Sequence, residues 1–152
     1  VGSTLGFGPN GPAGTGRRLV SARSADSAFA SLKDFQRRTV EHVLDRLYDV
    51  ADSTGRFLVA DEVGMGKTLV ARGVIAGAIE RLDRDDSVQR IDIIYICSNS
   101  AIARQNVGKL DVLGTGSRPL NTRITMLASQ VHDLNKRDGN QKTVNIIAIT
   151  PG

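Results

Sequence analysis

The sequence predicts an α/β fold built on a mainly parallel, wound sheet, and three observations carry that prediction. Near-continuous apolar runs stand at Phe57–Ala60, Ile91–Cys97 and Val144–Ile149, as strands buried on both faces should. Segments with helical apolar spacing separate them, the alternation that a parallel sheet with crossover helices requires. Between the first run and the next helix lies a glycine-punctuated turn, Gly64-Met65-Gly66-Lys67-Thr68.

Residues 1–30 open with six glycines in sixteen positions and continue Ser/Ala/Arg-rich. This composition buries too little apolar surface to offset ordering entropy, so a flexible tail is expected there, with the domain proper over 31–152. Leu32–Val50 reads as a helix capped by Ser31, with Phe35, Val40, Val43, Leu44 and Leu47 on its inner face. Phe57–Ala60 is the expected first core strand. The helix after the loop directs Leu69, Val70, Val74, Ile75, Ala78, Ile79 and Leu82 inward. Gly73 and Gly77 weaken it by up to about 1 kcal/mol each, which suggests close packing against the sheet.

Arg81–Arg90 is a charged connector, and Ile91–Cys97 a buried strand. Ser98-Asn99-Ser100 makes a polar turn whose Ser100 can cap a helix over Ala101–Leu110. Leu113–Leu120 is a Gly/Ser/Pro loop, Arg123–Leu127 a third candidate strand, and Asp138-Gly139 a turn. Val144–Ile149 is the last strand. A sheet with a strand as its final element is incomplete, so the chain is expected to be a fragment of a longer polypeptide.

The chemistry concentrates in the turn. Strand, small loop and helix follow in the order a nucleoside triphosphate site requires. Gly64 and Gly66 let the backbone turn tightly and bring its N–H groups to phosphate oxygens. The helix beginning near Lys67 adds the partial positive charge of its N-terminus. Lys67 is the mobile charge for the outer phosphates, and the Thr68 hydroxyl is placed to ligate Mg²⁺. Met65 and Leu69 lie within the same loop and first helical turn. The longer glycine pattern would begin at position 61, where this chain has Asp61.

The 152 residues suit one domain, and no apolar run is long enough to cross a membrane. Cys97 stands alone in an apolar run, so neither a disulfide nor a metal framework is expected; His42 and His132 read as ordinary residues. Net charge is +4 with Arg17, Arg18 and Arg23 against Asp26 in the first thirty residues. This balance suits a polyanion partner without demanding one. No leader precedes the first element, so a cytoplasmic location is expected.

Several segments together resemble one family. LKDFQRRTV, ADEVGMGKT, IIYICSNSAIARQN and AITPG stand in the order of the opening motifs of superfamily 2 helicases. The Ala-Asp-Glu-Val-Gly-x-Gly-Lys-Thr wording is most similar to the Swi/Snf-type translocases, including their bacterial members. The resemblance spans about residues 32–152. It implies a RecA-like P-loop NTPase lobe, a three-layer sandwich that would pair with a second lobe. It also implies ATP and Mg²⁺ as cofactors, and nucleic acid, DNA in preference to RNA, as partner.

Residue by residue, the resemblance puts Gln36 where adenine is recognised, with Phe35 near the base. Gly64, Gly66, Lys67 and Thr68 would hold the triphosphate and its metal, with Lys67 central to hydrolysis. Ser98, Asn99 and Ser100, followed by Arg104 and Gln105, match a segment that contacts a nucleic-acid backbone. Thr150 begins a third such turn. One part is missing: no Asp-Glu pair occurs after residue 90, and the only one is Asp61-Glu62. Since phosphoryl transfer needs those carboxylates and a second lobe, this fragment alone is expected to bind nucleotide without turnover, whereas the full-length protein is expected to be an ATP hydrolase that couples hydrolysis to movement on nucleic acid. Two alternatives stay open: another P-loop NTPase or kinase, and a non-catalytic nucleotide- or nucleic-acid-binding module.

Overall fold

The computed structural model describes residues 25–48, 51, 53–114, 120–123 and 142–150. Four helices and three strands lie in this part. Helix α1 covers residues 25–30, α2 Asp34–Tyr48, α3 Lys67–Arg84 and α4 Ser100–Leu110. Strands β1 (Arg90–Ile96), β2 (Leu120–Arg123) and β3 (Thr143–Thr150) form a parallel sheet in the order β1-β3-β2. The mixed α/β architecture with a parallel sheet is therefore as the sequence predicts.

Register follows the apolar pattern. Ile93 pairs with Ile146 and Ile96 with Ile149, while Leu120 on the other side pairs with Ile147. On one sheet face Ile146 and Ala148 pack with Val107 of α4, backed by Ile93 and Tyr95. Asn106 Nδ2 donates to the Tyr95 hydroxyl at 3.0 Å and ties α4 to β1. A second cluster joins Ala76 and Ile79 of α3 to Ile91 and Val112. On the opposite face of β1, Ile94 and Ile96 are exposed.

The second cluster also holds Ala25 and Ala28, both 2% exposed. The tail boundary at residue 30 is thus too late: an alanine-rich turn is small enough to seat its helix against α3 and β1. Residues 1–24 lie outside the described residues. Helix α2 begins at Asp34 rather than Leu32, and Ser31 instead donates its hydroxyl to Ala28 O at 2.7 Å. Its inner face carries Gln36, Val40, Val43 and Leu44, whereas Phe35 faces solvent.

Among the described residues the expected strand Phe57–Ala60 joins no ladder. Its approach is tied to α2 instead. Thr54 N and Oγ1 donate to Arg46 O, Ser53 Oγ donates to Leu47 O, and the Phe57 ring meets His42 edge-on at 5.4 Å. These contacts satisfy the last carbonyls of α2 and hold the segment beside that helix. The third candidate strand is met only at its first residue: β2 is Leu120–Arg123, starting at the last residue of the expected loop, and 124–127 lie outside the described residues. So do His132 and the Asp138-Gly139 turn.

Gly73 and Gly77 do pack closely, but against α2 rather than the sheet. A Cβ on Gly73 would stand 2.9 Å from Val40 Cγ2, and one on Gly77 would stand 2.5 Å from Leu44 Cδ1. Arg81 adds a cation–π contact over Tyr48 and a 3.6 Å ion pair with Asp45, an exposed pair of little energetic weight.

The far end of α3 is closed by a residue 60 positions away. Lys142 Nζ donates to the carbonyls of Leu82, Asp83 and Asp85 at 2.9, 2.7 and 2.5 Å. A cation there satisfies terminal carbonyls and complements the negative end of the helix dipole. The Ser87 hydroxyl and amide hold the Asp85 carboxyl below its ordinary value, with Lys142 assisting. The Asp85 contribution is present above the unfolded carboxylate pKa and is lost as pH falls through the lowered one. Lys142→Met, which keeps the stem and removes the charge, is expected to lower stability by about 1–3 kcal/mol in urea unfolding. An unchanged midpoint would show that the clamp contributes nothing.

Candidate functional site

The loop expected to bind phosphate is built by residues 61–68. Met65 N donates to Glu62 O at 3.4 Å, closing the turn. Gly64 and Gly66 have φ of +89° and +83°, the left-handed region that a side chain disfavours, so both glycines are used as the motif requires. The first intrahelical bonds run from Leu69 N and Val70 N to Gly66 O, and no side chain caps the start of α3. The amides of Lys67 and Thr68 therefore precede the ladder, where a helix offers its orphan donors.

The Lys67 ammonium lies along this loop and donates to Asp61 O and Glu62 O, both at 2.8 Å. Asp61, Glu62 and Lys67 are exposed, and Thr68 is half-buried at the second position of α3. Met65 and Leu69 are also exposed, at the lip of the loop. Gly64 has open space where a Cβ would stand, whereas at Gly66 a Cβ would meet Gln36 Nε2 at 2.4 Å.

Gln36 enters the site from α2. Its side chain is only 4% exposed, with Nε2 donating to Met65 O at 2.9 Å and Oε1 accepting from Lys33 N at 3.0 Å. The second bond is half of a capping box: a Gln three residues into the helix returns to the cap residue's amide. Phe35, on the neighbouring position, is 43% exposed.

The second group of expected residues follows β1. Ser98, Asn99 and Ser100 are exposed, as are Arg104 and Gln105 on the outer side of α4. Asn99, not Ser100, caps α4: its Oδ1 accepts from Ala101 N at 2.9 Å and Ile102 N at 3.1 Å. Asn99 sits in extended backbone one residue before the helix, the position where a short acceptor reaches these amides. Cys97 N donates to Ile149 O, and Thr150 ends β3 opposite Arg123 of β2. Because the strands are parallel, Ser98–Ser100 and Thr150 leave the sheet at the same carboxyl edge, about 5 Å per strand apart. Helix α3 in turn leads into the amino end of β1. Carboxyl edges of parallel sheets are where ligands bind. Pro151 and Gly152 lie outside the described residues.

Sequence reasoning missed one polar constellation. Asp92 accepts from Arg90 Nε at 2.9 Å and from buried Asn145 Nδ2 at 2.9 Å. It stands at the amino half of β1, away from the carboxyl edge, where it joins adjacent strands at matched register. Arg72, on α3 one turn after Thr68, has its Nε sealed from water without a partner among the described residues. No group of three or more His, Cys, Asp or Glu able to hold a metal occurs among the described residues, and no helix there is long and apolar enough to cross a membrane.

No family model, curated protein or solved structure matches the chain.

Proposed function

We propose that residues 61–68 bind the phosphates of ATP with Mg²⁺, within a RecA-like lobe of a superfamily 2, Swi/Snf-type motor acting on nucleic acid. The phosphate half of this reading is supported by the start of α3. A helix of 18 residues begins uncapped behind two positive-φ glycines, with a lysine ammonium on the loop and a threonine at its second position. Dipole, orphan amides and a mobile cation converge on a single anion there. Thr68 would ligate Mg²⁺ and Lys67 would exchange the Asp61 and Glu62 carbonyls for phosphate oxygens. The bound metal would supply charge neutralisation of the phosphates.

The nucleic-acid half is supported by the alignment of Ser98, Ser100 and Thr150 along the carboxyl edge, with Arg104 exposed beside them. Short polar groups and a cation suit backbone phosphates rather than base edges.

The test is calorimetry of the whole chain with Mg·ATP, a phosphate-release assay, and titration of mixed-sequence DNA. Saturable binding of ATP without release is expected. DNA affinity should fall with salt, and Arg104→Ala should weaken it equally across sequences. Absence of Mg·ATP binding would end the phosphate reading, and a sequence-selective loss would end the backbone-contact reading.

A further inference from the structure

The position of Gln36 decides what the site can select. Both ends of its amide are engaged inside the protein, with Met65 O at 2.9 Å and Lys33 N at 3.0 Å, and the side chain is 4% exposed. Reading an adenine edge takes the same two groups, one donor and one acceptor, presented together to the ligand. A base could reach them here only by displacing the Lys33 amide and the Met65 carbonyl from a side chain that is itself 4% exposed.

Gly66 narrows the choice further. Its missing Cβ leaves the space that Gln36 Nε2 occupies, 2.4 Å from where that carbon would stand. Gln36, Met65 and Gly66 thus interlock directly before the first turn of α3. An amide locked this way fixes the loop carbonyl whose neighbours present the amides of Lys67 and Thr68.

We propose that Gln36 is a positioning residue for the phosphate loop and not a reader of the base, so that the site takes nucleoside triphosphates through their phosphates with no base selection by Gln36. This inference rests on the reading of the loop as a triphosphate site, and it departs from the adenine role that the family resemblance implies.

Two near-isosteric substitutions test it in the whole chain: Gln36→Met removes both polar ends, and Gln36→Glu keeps the acceptor for Lys33 N while turning a carboxylate oxygen on Met65 O. The probes are Mg·ATP, Mg·GTP and magnesium tripolyphosphate, with folding checked by circular dichroism and the folded fraction by binding stoichiometry. For both variants at neutral pH, affinity for all three probes is expected to fall together by about tenfold, with the ATP-to-GTP ratio kept within about twofold of the parent. Lowering pH restores the Gln36→Glu variant relative to the parent at the same pH, because the protonated carboxyl again donates to Met65 O. With affinity referred to the folded fraction, a purely structural role would leave the parent's dissociation constants at every pH, and this arm remains readable even where Gln36→Met does not fold.

A loss confined to ATP, with tripolyphosphate unchanged, would overturn the proposal in favour of base reading. Unchanged affinity for all three probes would overturn it by uncoupling Gln36 from the loop. If the parent chain binds none of the three, it is the triphosphate reading itself that fails.

Discussion

Lys67→Ala is expected to weaken Mg·ATP binding by roughly ten- to a hundredfold while leaving the fold in place. A hydrogen bond to a charged group contributes about 1.5–3 kcal/mol, and each 1.4 kcal/mol is tenfold in affinity. The cost to folding is small, because the two carbonyls that Lys67 serves belong to exposed Asp61 and Glu62 and return to water when the ammonium is removed. The two quantities therefore separate. Calorimetry should show the weakened dissociation constant, and thermal unfolding should move by no more than about 2–4 °C, the shift that 1 kcal/mol produces in a chain of this size. Parent-like affinity in the variant would remove Lys67 from the site.

Gly73→Val is expected to lower stability and nucleotide affinity together. A Cβ at Gly73 meets Val40 Cγ2 at 2.9 Å and Leu32 Cδ1 at 3.1 Å, and Val40 is fully buried. Val40 is stiff at χ1 and has nowhere to rotate, so the added branches must push α2 away from α3. Overpacking of this kind costs about 1–3 kcal/mol, which the helix propensity gained over glycine offsets only in part. The damage also reaches the loop: moving α2 carries Gln36 off Met65 O, so nucleotide affinity should fall with stability. Adding Val40→Ala opens the space and should recover part of both in urea unfolding and calorimetry. Gly73→Val with the parent's midpoint would show that the two helices do not need the glycine. Gly77→Ala is the milder change, since it adds a single carbon whose one short approach is to Leu44 Cδ1, the far end of a flexible side chain.

The elements legible in the sequence were those whose signal is local. The glycine loop, α3, β1 and β3 each rest on an apolar run or a turn within their own residues, and their bounds fall within a residue or two of expectation. Phe57–Ala60 departs from expectation because an apolar run reports burial propensity and not the presence of a ladder partner. Here Ser53, Thr54 and Phe57 find theirs on α2. Gln36 was placed at the site through resemblance but left off the inner face of α2, since a polar residue there is explained only by the distant Met65 carbonyl. Asn99 and Ser100 are both good caps, and only the backbone turn between them decides. The partner of Gly73 and Gly77 was likewise invisible, because a small residue announces close approach without naming what approaches. Lys142 carried no signal, as nothing local marks a lysine destined for carbonyls sixty residues earlier.

That lysine has a mechanical consequence. Helix α3 is a rod of about 27 Å at 1.5 Å per residue. At one end it carries the loop, and at the other its terminal carbonyls are held by the residue from which β3 departs. Fraying at Arg84 would have to break the Lys142 bonds, so the last turn of α3 is tied to the root of β3, the central one of the described strands.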